Sequence, residues 1–370
     1  MISPGGRIKK IEKISASQLR FYSKKIKREK TIIPGLIDAH THLVFAGNRA
    51  DEWTQRLRGV SYQEIAKKGG GILKTLKATR AASLSDLDKS AKKRLRECLS
   101  WGVTTVEIKS GYGLNLESEL KVLEVIQTLK KQNLSRIVST FMGAHAVPKE
   151  FSTESLYVDY LIQKVLPKVK GLADFQDVFC EKGYFSEKES IRLLVAGKKM
   201  GLWPKVHAHE FARSGGVRVA AVTKAASADH LMEVNDADIR QLKSAKVIPV
   251  VLPGTSFFLG AKKFAPLRKF WDAGLKPAIA SDFNPGTNPT LNLPLCGTFA
   301  AIHQGMQPDE ILTAQTLNAA LALRCFDRGS LEVGKQADFI GLNSESFEEI
   351  YYSYGMSQVV SAYIGGKKVL

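Results

Sequence analysis

The chain has 370 residues, which is long enough for two ordinary domains or for one large α/β barrel with a small additional domain. Hydrophobic residues make up 44% of it and charged residues 24%, values that are typical of a globular protein and exclude a largely disordered chain. With only 30 Gly and 13 Pro, the sequence is neither collagen-like nor of low complexity.

The chain is basic, with 54 Lys and Arg against 36 Asp and Glu and a net charge of +18. Such a charge can indicate binding to nucleic acid or to an acidic membrane surface. The only dense basic run spans 7–30, and apolar side chains interrupt it at Ile8, Ile11, Ile14, Phe21 and Ile26. This pattern favours short strands with solvated lysines, and we expect no nucleic-acid partner and no membrane partner.

Targeting signals and disulfide patterns are missing from the sequence. No stretch approaches the roughly 18 apolar residues of a membrane-spanning helix, and the N-terminus lacks the apolar core of a signal peptide. The four cysteines, Cys98, Cys180, Cys296 and Cys325, are scattered, so we expect buried, reduced thiols. Together these features predict a cytoplasmic protein.

Short apolar runs alternate with helical patterns from residue 31 onward. The clearest helical patterns are 117–132, with an apolar stripe, and 186–201, which begins with a candidate cap at Ser186. The predicted strands are 32–39, 103–109, 136–143, 175–181, 203–209, 227–231, 247–252 and 277–282. Near-continuous apolar strands are typical of a parallel sheet that is buried on both faces.

Eight strand–helix alternations predict an α/β fold, a (β/α)8 TIM barrel over residues 31–328. An open doubly wound sheet is the alternative, but no G-x-G-x-x-G follows a first strand. Residues 1–30 and 329–370 differ from the barrel, because the second of these segments has strand-like runs divided by glycines. We expect the two segments to form one small β-sandwich domain.

Histidines cluster at the ends of the predicted strands, where barrel enzymes build their active sites. His40 and His42 end the first strand, and alternate residues of a strand face the same side. Both imidazoles can therefore bind one cation in the mouth of the barrel.

Further candidate ligands end three later strands. His207 ends the fifth, His230 the sixth and Asp282 the eighth. Three histidines and one carboxylate suit Zn²⁺ or Fe²⁺ equally. His209 shares the alternation of His207 and is the rival ligand; His207 is preferred because Glu210 follows it in a His-x-x-Glu pattern, as a candidate proton shuttle.

Several segments of the chain together resemble the imidazolonepropionases, a family of the amidohydrolase superfamily. The first, with its D-x-H-x-H pattern, is typical of the whole superfamily, whereas SGYG, GAHAVP and D-x-NPG are more specific. The segments are PGLIDAHTHLVFAGNRADE (34–52), GGGI (69–72), VEIKSGYGL (106–114), FMGAHAVP (141–148), VFCEKG (178–183), SADHL (227–231), VLPG (251–254), SDFNPGTNPT (281–290) and RGSLEVGKQADFIGLN (328–343).

The resemblance implies metal-dependent hydrolysis of 4-imidazolone-5-propanoate to N-formimidoyl-L-glutamate, in histidine degradation. It implies one divalent metal, zinc or iron, on His40, His42, His207 and Asp282, with Glu210, His230 and Asp282 as catalytic groups. It also implies substrate contacts at Arg49, Tyr62, Tyr112, His145, Glu210, Asn284, Gly286 and Thr287. By analogy with the family, the protein is expected to be a homodimer that acts on a small molecule.

Alternatives remain at this point. The chain could be another cyclic-amide hydrolase or an aminohydrolase of the same superfamily, or a barrel that binds metabolites or nucleic acid without catalysis. A carboxylated Lys182 could bridge two metal ions, as a lysine does in two-metal members of the superfamily, and His230 would then bind the second ion. One departure from the family is Phe283, which stands where a cysteine is expected.

Overall fold

A computed structural model describes residues 1–13, 29–60, 64–65 and 69–370. Its main sheet has eight parallel strands in consecutive order, and this confirms the predicted barrel. The strands are β2 (Leu36–Asp38), β3 (Val103–Lys109), β4 (Arg136–Ala144), β5 (Phe175–Cys180), β6 (Trp203–Ala208), β7 (Ser227–His230), β8 (Ile248–Val251) and β9 (Ala278–Ile279). They lie close to the predicted positions, except for the first.

Backbone hydrogen bonds just beyond strands β2 and β9 close the barrel. Asp282 N donates to His40 O (2.9 Å), and His42 N donates to Phe283 O (2.8 Å). Three of the predicted metal ligands, His40, His42 and Asp282, therefore take part in the hydrogen bonds that join the last strand to the first.

Helices cover the outside of the barrel. The helix predicted at 117–132 spans Leu116–Gln132 and buries Val122, Leu123, Ile126 and Leu129; the helix predicted at 186–201 spans Glu187–Lys199, with Ser186 accepting from Glu189 N. The other helices are Ala50–Leu57, Ile72–Ala81, Leu84–Ser100, Glu154–Tyr160 continued through Leu161–Val165 and Leu166–Val169, Gly216–Thr223, Asp236–Ala245, Pro253–Phe258, Leu267–Asp272, Leu293–Gln304, Pro308–Ala314, Leu317–Ala322 and Glu349–Tyr352. Within the described ranges, no helix combines the length and the apolar character needed to cross a bilayer.

The cysteine thiols are free in the structure. Cys98, Cys180 and Cys296 are buried, as expected, but Cys325 is only half-buried and that part of the prediction was wrong. Cys325 follows the short helix Leu317–Ala322 and packs, partly buried, against a hydrophobic cluster that contains Ile37 and Val250.

A separate antiparallel sheet joins the two ends of the chain. It consists of β1 (Thr31–Pro34), β10 (Phe339–Leu342), β11 (Val359–Ile364) and β12 (Lys367–Lys368), in that order. Isolated bridges pair Ile2 with Ile8 and Arg7 with Gln336. Most of the basic run predicted to form strands, residues 14–28, lies outside the described residues, and the domain boundaries at 30 and 328 stay predictions.

The strand predicted at 32–39 is in fact two strands that belong to different sheets. Thr31–Pro34 pairs with Phe339–Leu342 of the small sheet, whereas Leu36–Asp38 pairs with β3 of the barrel. Gly35 lies between them, and a Cβ atom at this position would lie 2.8 Å from the Cβ of the fully buried Thr104. This division could not be predicted from the sequence, because the apolar pattern continues through both strands.

Gly35→Ala is expected to lower the thermal unfolding temperature, because the added methyl group overlaps Thr104 where the chain passes between the two sheets. Overpacking of this kind costs about 1–3 kcal/mol. Gly5→Ala is the matched control, since a Cβ there meets only Ser3 Oγ at 3.9 Å. Equal unfolding temperatures for the two variants in a circular dichroism melt would contradict this packing.

Candidate metal centre and active site

The predicted ligands converge at the carboxyl-terminal end of the barrel. His40 and His42 follow β2, His207 lies in β6, His230 is the last residue of β7, and Asp282 follows β9. All five residues are at most 3% exposed. Because the strands are parallel and neighbouring, their carboxyl ends bring residues that are distant in sequence into one cluster.

The potential ligand atoms form two groups that share His40. His40, His207 and His230 form one, and His40, His42 and Asp282 the other; within each group the ligand atoms lie within 4.8 Å of one another. Asp282 Oδ1 is 3.4 Å from His40 Nε2 and 3.6 Å from His42 Nε2. The structure thus places three of the predicted ligands, His40, His42 and Asp282, in one group, and the fourth, His207, beside His40 and His230 in the other.

The imidazoles in this cluster fit a divalent cation. His40 Nε2, His42 Nδ1, His207 Nε2 and His230 Nδ1 are buried and have no hydrogen-bond partner among the described residues. Burial lowers the pKa of His40, His42 and His230 well below the ordinary value, which favours the neutral form that binds metals. Burial also raises the pKa of Asp282 to about 6. Unpartnered buried nitrogen atoms are costly, and a bound cation would satisfy those that face the cluster, such as His40 Nε2.

The backbone turns sharply at the strand ends that carry these residues. His209, His230 and Asp282 have φ values of 55°, 75° and 55°, in the left-handed region that side chains other than glycine rarely adopt. At His209 this turn breaks the alternation of β6, so its Nδ1 lies 4.0 Å from Asp238, outside both ligand groups. The expectation that His209 faces the same side as His207 was wrong for this reason.

Glu210 lies within the cluster. Its backbone N–H donates to Glu181 Oε2 (2.9 Å), and its Oε2 lies 3.6 Å from His230 Nε2. Burial, with the charges of Asp282 and Glu181, raises the pKa of Glu210 well above its usual value. The loop after β6 therefore turns this carboxyl group inward.

Arg49 is held at the rim of the site by an acidic partner. Its Nε donates to Glu52 Oε2 (2.7 Å), and Glu52 Oε1 also accepts from Gly71 N (3.1 Å). Arg49 is only 7% exposed. A Cβ at Gly286 would lie 2.5 Å from the guanidinium carbon, so glycine at this position lets Arg49 lie against the loop that follows Asp282.

Tyr112 and His145 lie beside His42. The His145 ring stacks on His42 with ring centroids 5.0 Å apart and lies 5.3 Å from the Tyr112 ring. Burial lowers the pKa of His145 to about 3. The Tyr112 loop is fixed by the buried Glu119, whose carboxylate accepts from the N–H groups of Gly111, Gly113 and Leu114.

Asn284 organises its own loop. Its Nδ2 donates to Asp282 O and to Thr287 Oγ1, both at 2.7 Å, and its Oδ1 accepts from the N–H groups of Gly286 and Thr287, both at 2.8 Å. The predicted substrate contact at Asn284 would therefore share an amide that already holds the turn.

These side chains line one cavity, with about 530 Å³ of empty space including its open mouth. Ile72, Phe179, Tyr184 and Phe211 also line it, and sequence reasoning missed them because nothing in their spacing marks them. Tyr62 lies outside the described residues. The other lining residues are His42, Arg49, Tyr112, His145, His207, Glu210, His230, Asp282, Asn284 and Thr287.

Lys182 takes no part in the site. It is exposed, next to Glu181, whose side chain accepts from the Lys182 backbone N–H (2.9 Å). It lines a separate surface cavity with Gly183 and Ser186. Because strand β5 ends at Cys180, Lys182 already belongs to the loop outside the barrel, and it cannot bridge two ions among the histidines.

Sequence reasoning also missed five charged residues inside the barrel. Glu107, Lys109, Asp177, Lys205 and Asp229, called here the buried charge cluster, are all fully buried. Lys109 Nζ lies 2.7 Å from Asp177 Oδ2, and Lys205 Nζ lies 2.7 Å from Glu107 Oε2. The signal was present, since charged residues alternate with apolar ones inside otherwise apolar strands, as in VEIK.

Comparison with known proteins identifies the family. The chain is 49% identical over 345 residues to the imidazolonepropionase of Geobacillus kaustophilus, which covers 92% of this chain and 81% of that protein. The chain belongs to the imidazolonepropionase family. The imidazolonepropionase of Christiangramia forsetii is 43% identical over 373 aligned positions, covering 100% of this chain and 89% of the relative. The model of the amidohydrolase family matches residues 203–369.

Solved structures of other enzymes share the fold. The 5-methylcytosine deaminase of Klebsiella pneumoniae, liganded with 5-fluorocytosine, superposes with a TM-score of 0.74 at 18% identity, over 92% of this chain and 86% of that one. The guanine deaminase of C. acetobutylicum, with bound guanine, gives 0.69 at 16% identity, over 99% and 93%. At these sequence identities the similarity shows only that the fold is shared, and this fold is the same type of barrel.

Proposed function

We propose that this chain hydrolyses 4-imidazolone-5-propanoate to N-formimidoyl-L-glutamate. The observation that carries the proposal is the cluster of buried histidines and Asp282 that lines one cavity with Arg49, in a chain 43–49% identical to imidazolonepropionases. The substrate is a small ring with a carboxylate tail, and the cavity offers both a polar cluster and a guanidinium group. A homodimer, a cytoplasmic location and the lack of nucleic-acid or membrane partners stay predictions from the sequence.

One divalent cation is proposed on His40, His42, His207 and Asp282. The unpartnered nitrogen atoms and the neutral imidazoles support this set. When bound, a divalent cation acts as a Lewis acid and lowers the pKa of a water ligand toward ~7. Nitrogen and carboxylate ligands suit Zn²⁺ and Fe²⁺ alike.

The side chains divide the work of hydrolysis. Asp282 accepts a proton from the attacking water, and the oxygen of that water adds to the ring carbonyl carbon. His230 donates a hydrogen bond to the developing oxyanion. Glu210 delivers a proton to the ring nitrogen as the C–N bond breaks, which yields the open-chain product. The 3.6 Å between His230 and Glu210 lets them serve the same reacting group.

Arg49, Tyr112 and His145 are proposed to hold the substrate. Arg49 donates from Nε to Glu52, and its guanidinium group is proposed to pair with the propanoate. Tyr112 and His145 line the same cavity, where they would fix the tail and a ring oxygen. Binding energy from the tail then aligns the ring with the reacting water.

Removal of the metal is expected to abolish turnover without unfolding the chain. A barrel of this size has a hydrophobic core of its own and does not depend on a cation to fold. Chelation should leave the far-ultraviolet circular dichroism spectrum near native, and refilling with Zn²⁺ or Fe²⁺ should restore activity and show which ion serves. Loss of the spectrum together with the activity would indicate a structural metal instead.

Substitution of Arg49 is expected to raise KM. Arg49→Lys keeps the charge but loses the planar fork, and Arg49→Ala should cost about 2–5 kcal/mol in kcat/KM if the ion pair is buried. Arg58→Ala, at the exposed end of the same helix, is the matched control. A kcat/KM within about twofold of the native value for Arg49→Ala would mean that the tail is held elsewhere, or that the substrate ring has no carboxylate.

Glu210→Gln is expected to lower kcat by about 10²–10⁴-fold, since it preserves shape but removes the proton transfer. Metal content measured by mass spectrometry should stay near one equivalent, which distinguishes a proton shuttle from a ligand. Glu233→Gln is the control, because Glu233 forms a partly exposed ion pair with Lys263 on the next loop. A normal kcat in Glu210→Gln would move the acid–base role to His230.

A further inference from the structure

Two carboxylates of the buried charge cluster lie directly behind two of the proposed metal ligands. Asp229 Oδ2 lies 2.7 Å from His40 Nδ1, and Asp177 Oδ2 lies 3.1 Å from His207 Nδ1. All four side chains are at most 3% exposed. Neither carboxylate lines the cavity, so neither can touch a substrate there.

The contact with Asp229 selects one tautomer of the His40 ring. A carboxylate oxygen accepts, so His40 Nδ1 carries the proton and leaves the lone pair of Nε2 facing Asp282 and the other histidines. His207 Nδ1 lies 3.1 Å from Asp177 Oδ2 without a hydrogen bond, so Asp177 acts on this ring through its charge and its proximity. His42 differs, because its Nδ1 has no partner within the described part of the chain.

Lys109 connects the two carboxylates. Its Nζ lies 2.7 Å from Asp177 Oδ2, 3.6 Å from Asp229 Oδ2 and 3.0 Å from Glu107 Oε1. Asp177, Asp229 and His207 by themselves also resemble a metal site. The ammonium group of Lys109 lies against both carboxylates of that group and supplies the positive charge there. A metal ion would therefore bind on the opposite side of the imidazoles.

We propose that Asp229 and Asp177, linked by Lys109, are positioning residues that fix His40 and His207 with Nε2 toward the metal. This inference rests on the proposed metal centre. Carboxylates behind metal-binding histidines fix the ring orientation and raise its basicity, and their loss typically weakens metal binding by 10–100-fold. The proposal assigns this role to three residues that do not line the cavity of the proposed active site.

Transfer of Zn²⁺ from the loaded chain to a chromophoric chelator tests the proposal. Asp229→Asn, Asp177→Asn and Lys109→Met should each weaken Zn²⁺ binding about 10–100-fold while circular dichroism confirms the fold. Glu107→Gln is the matched control: Glu107 is equally buried and contacts Lys109 and Lys205, but it contacts no histidine ring. We expect it to change Zn²⁺ affinity less than threefold.

A second measurement needs no variant. With only seven histidines in the chain, ¹⁵N NMR of the metal-free protein can report the tautomer of each ring, and His40 should be protonated at Nδ1. Protonation at Nε2, variants that hold Zn²⁺ as tightly as the native chain, or equal losses in Glu107→Gln would each overturn the proposal. If the native chain itself holds no Zn²⁺, the proposed metal centre fails first, and this inference fails with it.

Discussion

The buried charge cluster is the constraint on which the rest of the barrel interior depends. An uncompensated charge in a protein interior costs several kcal/mol, so each of these five side chains must be paired. Burial alone would lower the pKa of Lys109, but the charges of Asp177, Glu107 and Asp229 outweigh it and hold the lysine protonated. The strands that carry these residues therefore have only one register that satisfies all the charges, since a shift of one residue would turn each of them toward the helices.

The same register sets the position of the histidines. Asp229 is the residue before His230 in β7, and Asp177 lies opposite Lys205, two residues before His207, in the pairing of β5 with β6. In the pairing of β6 with β7, His207 lies opposite Asp229, so the strand pairing that brings the charges together also places the proposed metal-binding imidazoles. His40 and His207 each lie against a carboxylate that is itself held by Lys109.

Much of this could be predicted from the sequence, and the failures have physical causes. Strand positions and the convergence of His40, His42, His207 and Asp282 follow from period-2 patterns and from the geometry of parallel strands, whereas Glu210 was expected near the site because it begins the loop that leaves the strand. The division of the first strand at Gly35 could not be found, because both halves are apolar. His209 was misjudged because alternation holds only within a strand, and the left-handed backbone at this residue ends it. Lys182 was considered as a metal-bridging lysine on the strand, but β5 ends at Cys180 and Lys182 lies in the loop that follows.

The buried charge cluster shows a further limit of pattern reading. In a helix or an edge strand, Glu107 and Lys109 would be an ordinary solvated pair, and only the closure of the barrel makes them interior. Once inside, three carboxylates face two ammonium groups, and two of the carboxylates, Asp177 and Asp229, also lie against imidazoles. A carboxylate behind a metal-binding imidazole increases the electron donation of the ring and favours a cation in front of it. The carboxylates whose ion pairs hold the strands in register thus also favour the binding of a cation at the mouth of the barrel.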